Sequence, residues 1–420
     1  RPIRYAIGEG CSGGSIQQGQ INAAYPGLLD GMIVECSFPD AWGPVQEVSD
    51  CVMLDRVFNT AAPLMWLDPG ARQAVMGSQL GTTCPAWEVT FASLLRPDDR
   101  SSPITACDVP AGQQYDPATN RGGVRCSITD YQKAIWGLGP DGFARRPLDN
   151  VGVQYGLRAL QDGRLSPAQF AELNADIGGL DIDGRPQAAR TRAGTFAVRT
   201  AYRASQIDSG RNLARVPIID LRGTGNNEVH TDHWSYATRA RLDAANGTHA
   251  NQIIWTDVVD GSTTLGRNPP GSQRGPAFDL MDRWLAAVHA DHARGSLPAK
   301  VIRDKPADAV DACFATSDEI TDAATCAQLF PHFGNARNVA GGPVANDVVR
   351  CSLTPLDRSD YGGVTFTDAE WAQLQAAFPG GVCDYAASAR HRPKELVWPS
   401  FDRGPGGRAL GPAPRSHRLS

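Results

Sequence analysis

A glycine-rich segment near the start of the chain carries the residues best suited to chemistry. Gly10-Cys11-Ser12-Gly13-Gly14 fits the pattern Gly-x-Ser-x-Gly, in which a serine lies on a tight turn between a strand and a helix. The pattern predicts a strand over residues 4–8 and a helix over residues 15–25. Such a turn lifts the serine hydroxyl clear of the sheet edge, where it can attack an acyl carbon. We therefore predict that Ser12 is a nucleophile.

The glycines of this segment serve the same predicted reaction. The backbone N–H of Gly13 is placed to donate to an oxyanion, and the helix N-terminus adds positive potential. Gly10, Gly13 and Gly14 are expected to allow close backbone approach and unusual dihedral angles. A phosphate-binding loop and a plain tight turn are the alternatives, although the lysine of a P-loop and the G-x-G-x-x-G spacing are absent.

Candidates for the general base and its acid follow a later predicted strand, at residues 216–223. The segment 223–233 brings a glycine turn, carboxylates and imidazoles to what should be the carboxyl edge of a sheet. The candidate bases, in order of preference, are His230 and His233, and the candidate acids are Glu228 and then Asp257 and Asp260. The alternative is that both histidines only cap the helix that starts near residue 232.

Two other patterns could bind metal ions. The histidines His230/His233 and His289/His292 have i, i+3 spacing, but neither pair has a further ligand at a spacing typical of zinc sites. The acidic run over residues 174–184 could offer oxygen ligands to calcium, but it lacks the alternation and the closing glutamate of an EF-hand loop, which favours a turn. No metal and no cofactor is therefore expected.

The order of predicted elements indicates an α/β protein. Strand, helix and a second strand at residues 31–36 form one βαβ unit, whose strands should be parallel. The α/β pattern returns at residue 214. We predict a hydrolase core in two pieces separated by an inserted cap and followed by a loop-rich, disulfide-stapled C-terminal extension; the boundaries are 1–39, 40–213, 214–298 and 299–420. The aromatic residues of the cap could line a cleft or form its core: Trp42, Trp66, Trp87, Tyr115, Tyr131 and Trp136.

Composition excludes several classes of function. The 420 residues carry 40 Lys and Arg against 45 Asp and Glu, a formal net charge of −5, which disfavours a nucleic-acid partner. No apolar run approaches the roughly 18–20 residues that span a bilayer, so no membrane partner is expected. Ten cysteines without a C-x-x-C pair favour disulfides and a secreted or periplasmic protein, with scattered core thiols as the alternative. Cys107/Cys126, Cys313/Cys326 and Cys351/Cys383 have spacings that suit loop staples.

Four stretches of the sequence resemble a family of secreted bacterial α/β-hydrolases of unknown function, related to tannases and feruloyl esterases. They cover residues 10–18, 25–31, 149–157 and 378–385. The resemblance implies an α/β-hydrolase fold, a cap over the serine and hydrolysis of carboxylic esters. In tannase-like enzymes the cysteine beside the nucleophile is disulfide-bonded to one beside the catalytic histidine. Cys11 matches the first of these, but no histidine here has a neighbouring cysteine.

The sequence departs from an ordinary α/β-hydrolase at two points. No histidine closely follows the predicted strand at residues 252–256, where such enzymes keep their base. The predicted strand that precedes Ser12 is also the first element of this chain, whereas in such enzymes the strand before the nucleophile is normally the fifth of eight. We therefore expect a second chain or an N-terminal half, outside this sequence, to complete the sheet and supply a second oxyanion donor.

The predicted function is a serine hydrolase that cleaves small or oligomeric carboxylic esters through an acyl-enzyme on Ser12. The first alternative is an amidase or peptidase on the same fold. An oligoester depolymerase is a second, because a wide aromatic cap also suits chains. The third is a binding protein on a catalytically silent hydrolase scaffold, which the missing histidine after residues 252–256 would explain.

Overall fold

A computed structural model describes residues 3–61, 63–79, 81–99, 107–223, 229–257, 273–315, 318–388 and 393–411. The strands in these ranges are β1 Ile7–Cys11, β2 Gly31–Glu35, β3 Gly179–Leu180, β4 Pro186–Gln187, β5 Ile218–Gly223, β6 Gln252–Asp257, β7 Ala312–Phe314, β8 Glu319–Ile320, β9 Ser352–Thr354, β10 Val382–Asp384, β11 Pro399–Ser400 and β12 Arg408–Ala409.

Helices account for most of the remaining regular structure in these ranges. Their bounds are α1 Gly13–Ala24, α2 Trp42–Arg56, α3 Pro69–Met76, α4 Thr83–Phe91, α5 Ile128–Tyr131, α6 Lys133–Trp136, α7 Leu157–Gln161, α8 Pro167–Asp176, α9 Thr195–Arg203, α10 His233–Asn246, α11 Arg274–Ala290, α12 Leu297–Arg303, α13 Ala323–Leu329, α14 Ala336–Val339, α15 Asp368–Ala377 and α16 Tyr385–Ser388. None of the helices in the described ranges is long and apolar enough to cross a bilayer.

The main sheet has six strands in the order β1-β2-β5-β6-β7-β8. All neighbouring pairs are parallel except β7 and β8, which are antiparallel. The predicted parallel βαβ unit is confirmed, but β1 begins three residues later than predicted. Its pairing starts at Ile7 opposite Gly31, because Asp30 instead bonds Ala6 through its side chain and its backbone N–H.

Helices cover both faces of this sheet, as a mainly parallel sheet requires. On one face Ile33, Ile219 and Ile253 pack against α11 and α12. On the other face Met32, Val34 and Ile218 form a smaller cluster with Leu242 of α10 and two residues that precede β5. The alternation along β2 and β5 therefore places a buried side chain on each face of the sheet, giving an α/β/α arrangement.

The strands β7 and β8 extend the sheet beyond the elements that the sequence predicts. They contain three and two residues, too few to show a hydrophobic period. The disulfide between Cys313 of β7 and Cys326 of α13 fixes the loop that follows them. The chain after residue 300 thus contributes to the sheet as well as to loops.

A second, larger core lies beside the sheet. It combines residues from the segment between β2 and β5 with residues from α14 to β10, and its members run from Phe38 to Val382. A buried ion pair joins the two segments: Arg337 Nε lies 2.7 Å from Asp50 Oδ2, and Tyr155 Oη donates to Asp50 Oδ1 at 2.6 Å. The two segments therefore depend on each other for their packing.

The aromatic residues proposed for a cleft mostly fill this part of the molecule. Trp42, Trp66 and Trp136 are fully buried and Trp87 and Tyr115 almost so, whereas Tyr131 is 63% exposed. The indole N–H of Trp42 donates to Gln206 at 3.1 Å. The structure supports the interpretation as core for the five buried residues but not for Tyr131.

All ten cysteines are paired. The three local pairs predicted from spacing are confirmed as Cys107–Cys126, Cys313–Cys326 and Cys351–Cys383. The other two are Cys51–Cys84, which joins α2 to α4, and Cys11–Cys36, which joins the ends of β1 and β2. Five disulfides fit a protein from an oxidising compartment.

Glu47 of α2 should make the stability of the fold depend on pH. Burial, and then the charge of nearby Asp50, raises its pKa from 4.5 to about 8. The protonated form therefore stabilises the fold below about pH 4.5, and this contribution is lost as the pH rises to about 8. Glu47→Gln should gain unfolding free energy relative to the wild type over this range, by at most roughly 1.4 kcal/mol per pH unit. Chemical denaturation from pH 4.5 to 8 measures this gain in unfolding free energy.

The matched control for this prediction is the exposed Glu319→Gln, which should show no such trend. Parallel pH profiles of unfolding free energy for Glu47→Gln and wild type would contradict the raised pKa of Glu47.

Candidate active site

Ser12 occupies a strained turn between β1 and α1. Its φ is 56° and its ψ is −114°, a left-handed conformation that residues with a side chain rarely adopt and that costs roughly 1–3 kcal/mol. The side chain is partly exposed. This is the geometry of a nucleophile elbow, in which backbone strain presents a serine above the carboxyl edge of a sheet.

Hydrogen bonds from three elements hold the turn in place. The N–H of Ser12 donates to the carbonyl of Glu35 at 3.2 Å, which extends the pairing of β1 and β2. The carbonyl of Ser12 accepts from Ile16 N at 3.0 Å and from Ser15 Oγ at 2.7 Å. The Ser15 hydroxyl in turn accepts from the N–H of Phe38 at 3.0 Å. The backbone of Ser12 is therefore fixed to α1 and to the chain after β2.

The three glycines of the elbow have different roles. Gly10 has a φ of +155°, and a Cβ there would lie 3.2 Å from the Cα of Gly14, so the turn requires glycine at this position. A Cβ at Gly13 or Gly14 would meet no atom within 4 Å among the described residues. The expectation that all three allow close backbone approach is therefore wrong for Gly13 and Gly14. Gly13 is exposed, which leaves space for a substrate beside its N–H.

A disulfide and a histidine adjoin Ser12. The disulfide Cys11–Cys36 links the last residue of β1 to the residue after β2. A ring nitrogen of His230 lies within 4.8 Å of both sulfur atoms. The His230 ring also packs on Phe38 with a centroid distance of 5.6 Å. The structure thus brings His230 beside the residue that precedes Ser12. The only cluster of possible metal ligands within the described ranges is this one, and its sulfurs are bonded to each other.

His233, the second candidate base, lies in a different environment. It is the first residue of α10, is fully buried, and neither of its ring nitrogens has a hydrogen-bond partner in the described part of the chain. Burial, and then the neighbouring His332, lowers its pKa to about 3. A base with so low a pKa removes a proton poorly near neutral pH, which disfavours His233 as a general base.

The candidate acids cannot all be placed. Glu228 and Asp260 lie outside the described residues. Asp257 is the last residue of β6 and pairs with Gly223 of β5 and Phe314 of β7. It therefore lies three strands from the elbow, at the same edge of the sheet.

An arginine braces the two strands that end at the elbow. Arg274 begins α11, and its guanidinium contacts Glu9 of β1 at 2.8 Å and Glu35 of β2 at 2.6 Å. Glu35 is opposite Cys11 in the strand register and accepts from Ser12 N. Arg274 therefore ties α11 to the base of the elbow.

A second acid–imidazole pair, which the sequence does not predict, lies at this edge of the sheet. His332 Nδ1 lies 3.0 Å from Asp232 Oδ2, and its ring packs on Tyr236 at a centroid distance of 4.3 Å. Asp232 precedes α10 and was noted only as a helix start. Its partner is 100 residues away in a loop without local periodicity, so no local signal indicated the pair.

The remaining metal candidates have structural roles. His289 and His292 are exposed. Asp181 Oδ1 accepts from the N–H groups of Asp183 and Arg185, both at 2.9 Å, which is the hydrogen bonding of a turn. This agrees with the turn predicted for residues 174–184.

Comparison with known protein families decides the relationship. Residues 2–394 match a tannase-like family of unknown function. The chain belongs to this family. The resemblance inferred from residues 10–18 and the other three stretches is thereby confirmed. Searches of the curated proteins and of the solved structures gave no match.

The Cys11–Cys36 disulfide can be compared with the pairing that the tannase-like resemblance implies. The resemblance implied that Cys11 pairs with a cysteine next to the catalytic histidine in sequence. Here the partner is Cys36, which is next to His230 in space. The sequence distance of 25 between the two cysteines and the absence of a Cys-His dipeptide hid this arrangement.

Proposed function

We propose that this chain is a serine hydrolase that cleaves carboxylic esters through an acyl-enzyme on Ser12. The observation that carries the proposal is the positive φ of Ser12 at the strand-to-helix turn. The protein maintains this strain although a relaxed turn would be more stable. A tannase-like family and the neighbouring His230 support the same conclusion.

The proposed reaction begins with proton transfer. His230 accepts the Ser12 Oγ proton as Oγ bonds to the ester carbonyl carbon, and the carbonyl π electrons move to oxygen. The N–H of Gly13 donates to this oxyanion. The C–O bond to the alcohol then breaks, and the alcohol leaves with the proton from His230. Water, deprotonated by His230, attacks the acyl carbon, and the acid leaves as Ser12 regains its proton. Glu228 is the proposed partner that orients His230.

The sheet supports a finer proposal about the fold. We propose that β1 is the elbow strand of an α/β-hydrolase sheet and that the segment 42–215, between β2 and β5, is its cap. β1 lies at one edge of the six-stranded sheet, so its outer side has no strand partner among the described residues. We propose that another polypeptide segment pairs there and supplies the second oxyanion donor. Five disulfides support export from the cytoplasm.

A fluorophosphonate probe tests the proposal directly. The native protein is treated with the probe, its intact mass is measured, and the labelled peptide is mapped. One adduct on Ser12 is the expected result, and native mass measurement also reports any accompanying polypeptide. An ester and an amide of the same acyl group then distinguish esterase from amidase activity. An unlabelled, inactive protein would support a silent binding scaffold instead.

The Cys11–Cys36 disulfide should affect activity more than stability alone explains. In Cys11→Ser/Cys36→Ser, the ends of β1 and β2 lose their covalent link beside Ser12 and His230. We expect kcat for ester hydrolysis to fall at least about 10-fold, because small displacements of reacting groups are costly. The matched control is Cys351→Ser/Cys383→Ser, which opens a loop of 32 residues against 25. Both variants should lose roughly 3 kcal/mol of unfolding free energy. An equal effect on kcat in both would contradict a local role.

A further inference from the structure

A small cavity lies at the carboxyl ends of β5 and β6, on the same edge of the sheet as Ser12. Its volume is about 120 Å³, enough for a group of a few heavy atoms. Gly223 and Thr256 form its base at the strand ends. Asp232 and Tyr236 contribute polar groups from the start of α10, and Gln79 adds a further polar residue from the loop after α3. Leu329, Phe330 and Pro331 supply an apolar wall from the loop after α13.

The polar side of the cavity is rigidly held. Asp232 is tied to His332 Nδ1 at 3.0 Å, and Tyr236 packs on the same imidazole at 4.3 Å. The ring of His233 is nearly parallel to that of His332, with a centroid distance of 6.4 Å and an angle of 17°. Burial and then the charge of Asp232 raise the pKa of Tyr236, so its phenol stays protonated at neutral pH.

The cavity is too far from the elbow to act on the same atom. Ser12 follows β1, whereas Gly223 and Thr256 are on strands two and three places away in the sheet. At about 4.8 Å between neighbouring strands, the separation is roughly 10–14 Å. A substrate whose ester lies at Ser12 would therefore reach Asp232 only with a distal group.

The chemistry of the lining selects the distal group. Asp232 is a hydrogen-bond acceptor, and the hydroxyls of Tyr236 and Thr256 both donate and accept. A ligand carboxylate would meet the charge of Asp232, whereas an alcohol can donate to Asp232 and accept from Tyr236. The apolar wall of Leu329, Phe330 and Pro331 suits the methylene groups that carry such a hydroxyl.

We propose that this cavity is a substrate subsite that binds an aliphatic hydroxyl group located about 10–14 Å from the scissile ester carbonyl. The proposal rests on the proposed function, because it places the ester at Ser12. The substrate class is then an extended, hydroxyl-terminated acyl chain or oligoester. An extended ten-carbon chain with bonds of about 1.5 Å spans this distance.

Two esters that differ by one hydroxyl test the subsite. We expect kcat/KM for 4-nitrophenyl 10-hydroxydecanoate to exceed that for 4-nitrophenyl decanoate about 10-fold, because sites built around a hydroxyl discriminate against its absence. In Tyr236→Phe and Asp232→Asn this ratio should fall to near one while hydrolysis of the decanoate is retained. The matched control is Asp243→Asn, which removes the charge from the exposed Asp243–His249 contact of 2.9 Å. A wild-type ratio near one, or a ratio unchanged in both variants, would overturn the proposal.

A binding measurement separates failure of the subsite from failure of the proposed function. Saturation-transfer NMR on Ser12→Ala protein compares 10-hydroxydecanoic acid with decanoic acid. Hydroxyl-dependent binding that Tyr236→Phe abolishes supports the subsite even if no ester is hydrolysed. Equal binding of the two acids overturns it even if Ser12 proves to be the nucleophile.

Discussion

Replacing Ser12 with alanine should lower kcat for ester hydrolysis at least about 10⁴-fold and abolish labelling by a fluorophosphonate. The variant loses the atom that forms the acyl-enzyme, and no other group in the elbow can replace it. The fold should be retained or slightly stabilised, because alanine keeps the backbone bonds to Glu35 and Ile16. Steady-state kinetics with a small aryl ester, together with intact mass after probe treatment, measures both effects.

A serine of another role provides the control. Ser296 caps α12 through a hydrogen bond to Ala299 N at 3.4 Å, so Ser296→Ala removes a hydroxyl at a distance from the elbow. It should cost about 1 kcal/mol of stability and leave kcat unchanged. If Ser12→Ala kept full esterase activity, or if the probe labelled a different serine, Ser12 would not be the nucleophile.

Replacing His230 with glutamine should lower kcat by roughly 10³-fold, the usual contribution of a general base. Glutamine retains a polar side chain of similar reach beside the Cys11–Cys36 disulfide but cannot accept and return the serine proton. Since the loss concerns the transition state, kcat should fall more than KM changes. Steady-state kinetics with a small aryl ester measures kcat and KM of the variant and the wild type.

Two other histidines provide controls for the assignment of His230 as the general base. His249→Gln removes an imidazole that pairs with Asp243 at 2.9 Å on the surface, and should leave kcat unchanged. His332→Gln removes the partner of Asp232, and should alter discrimination between the two decanoyl esters while leaving kcat for the unsubstituted ester near that of the wild type. A large loss of kcat in His332→Gln and none in His230→Gln would move the base to the Asp232–His332 pair.

Local sequence patterns were sufficient for the elements around the elbow. The glycines before and after Ser12 predicted a strand, a turn and a helix, and the structure has β1, Ser12 and α1 in that order. A serine followed by a proline is typical of a helix start, and α8 begins in this way after Ser166 with a capping box. These features depend on contacts within a few residues, so the local sequence is enough to predict them.

The rest of the site depends on long-range contacts that one sequence does not encode locally. Asp232 and His332 are 100 residues apart, and Cys36 reaches His230 only because β2 and β5 are neighbours in the sheet. The helical segment over residues 128–136 is divided into α5 and α6 at Gln132, whose side-chain oxygen accepts from the indole N–H of Trp136 at 3.0 Å. Tertiary packing, which outweighs local propensity, decides such details.

The shared core of the early and late segments has a consequence for how the molecule is assembled during synthesis. Asp50 forms an ion pair with Arg337, which is 287 residues later in the sequence. The strand β2 pairs with β5, which begins more than 180 residues after it. Such contacts give the chain a high contact order, and search for them is slow because long loops must close first. Neither the sheet nor the larger core beside it can be completed until most of the chain has been synthesised. Until its last segments have been made, such a chain exposes the apolar surface of its incomplete core, which favours aggregation.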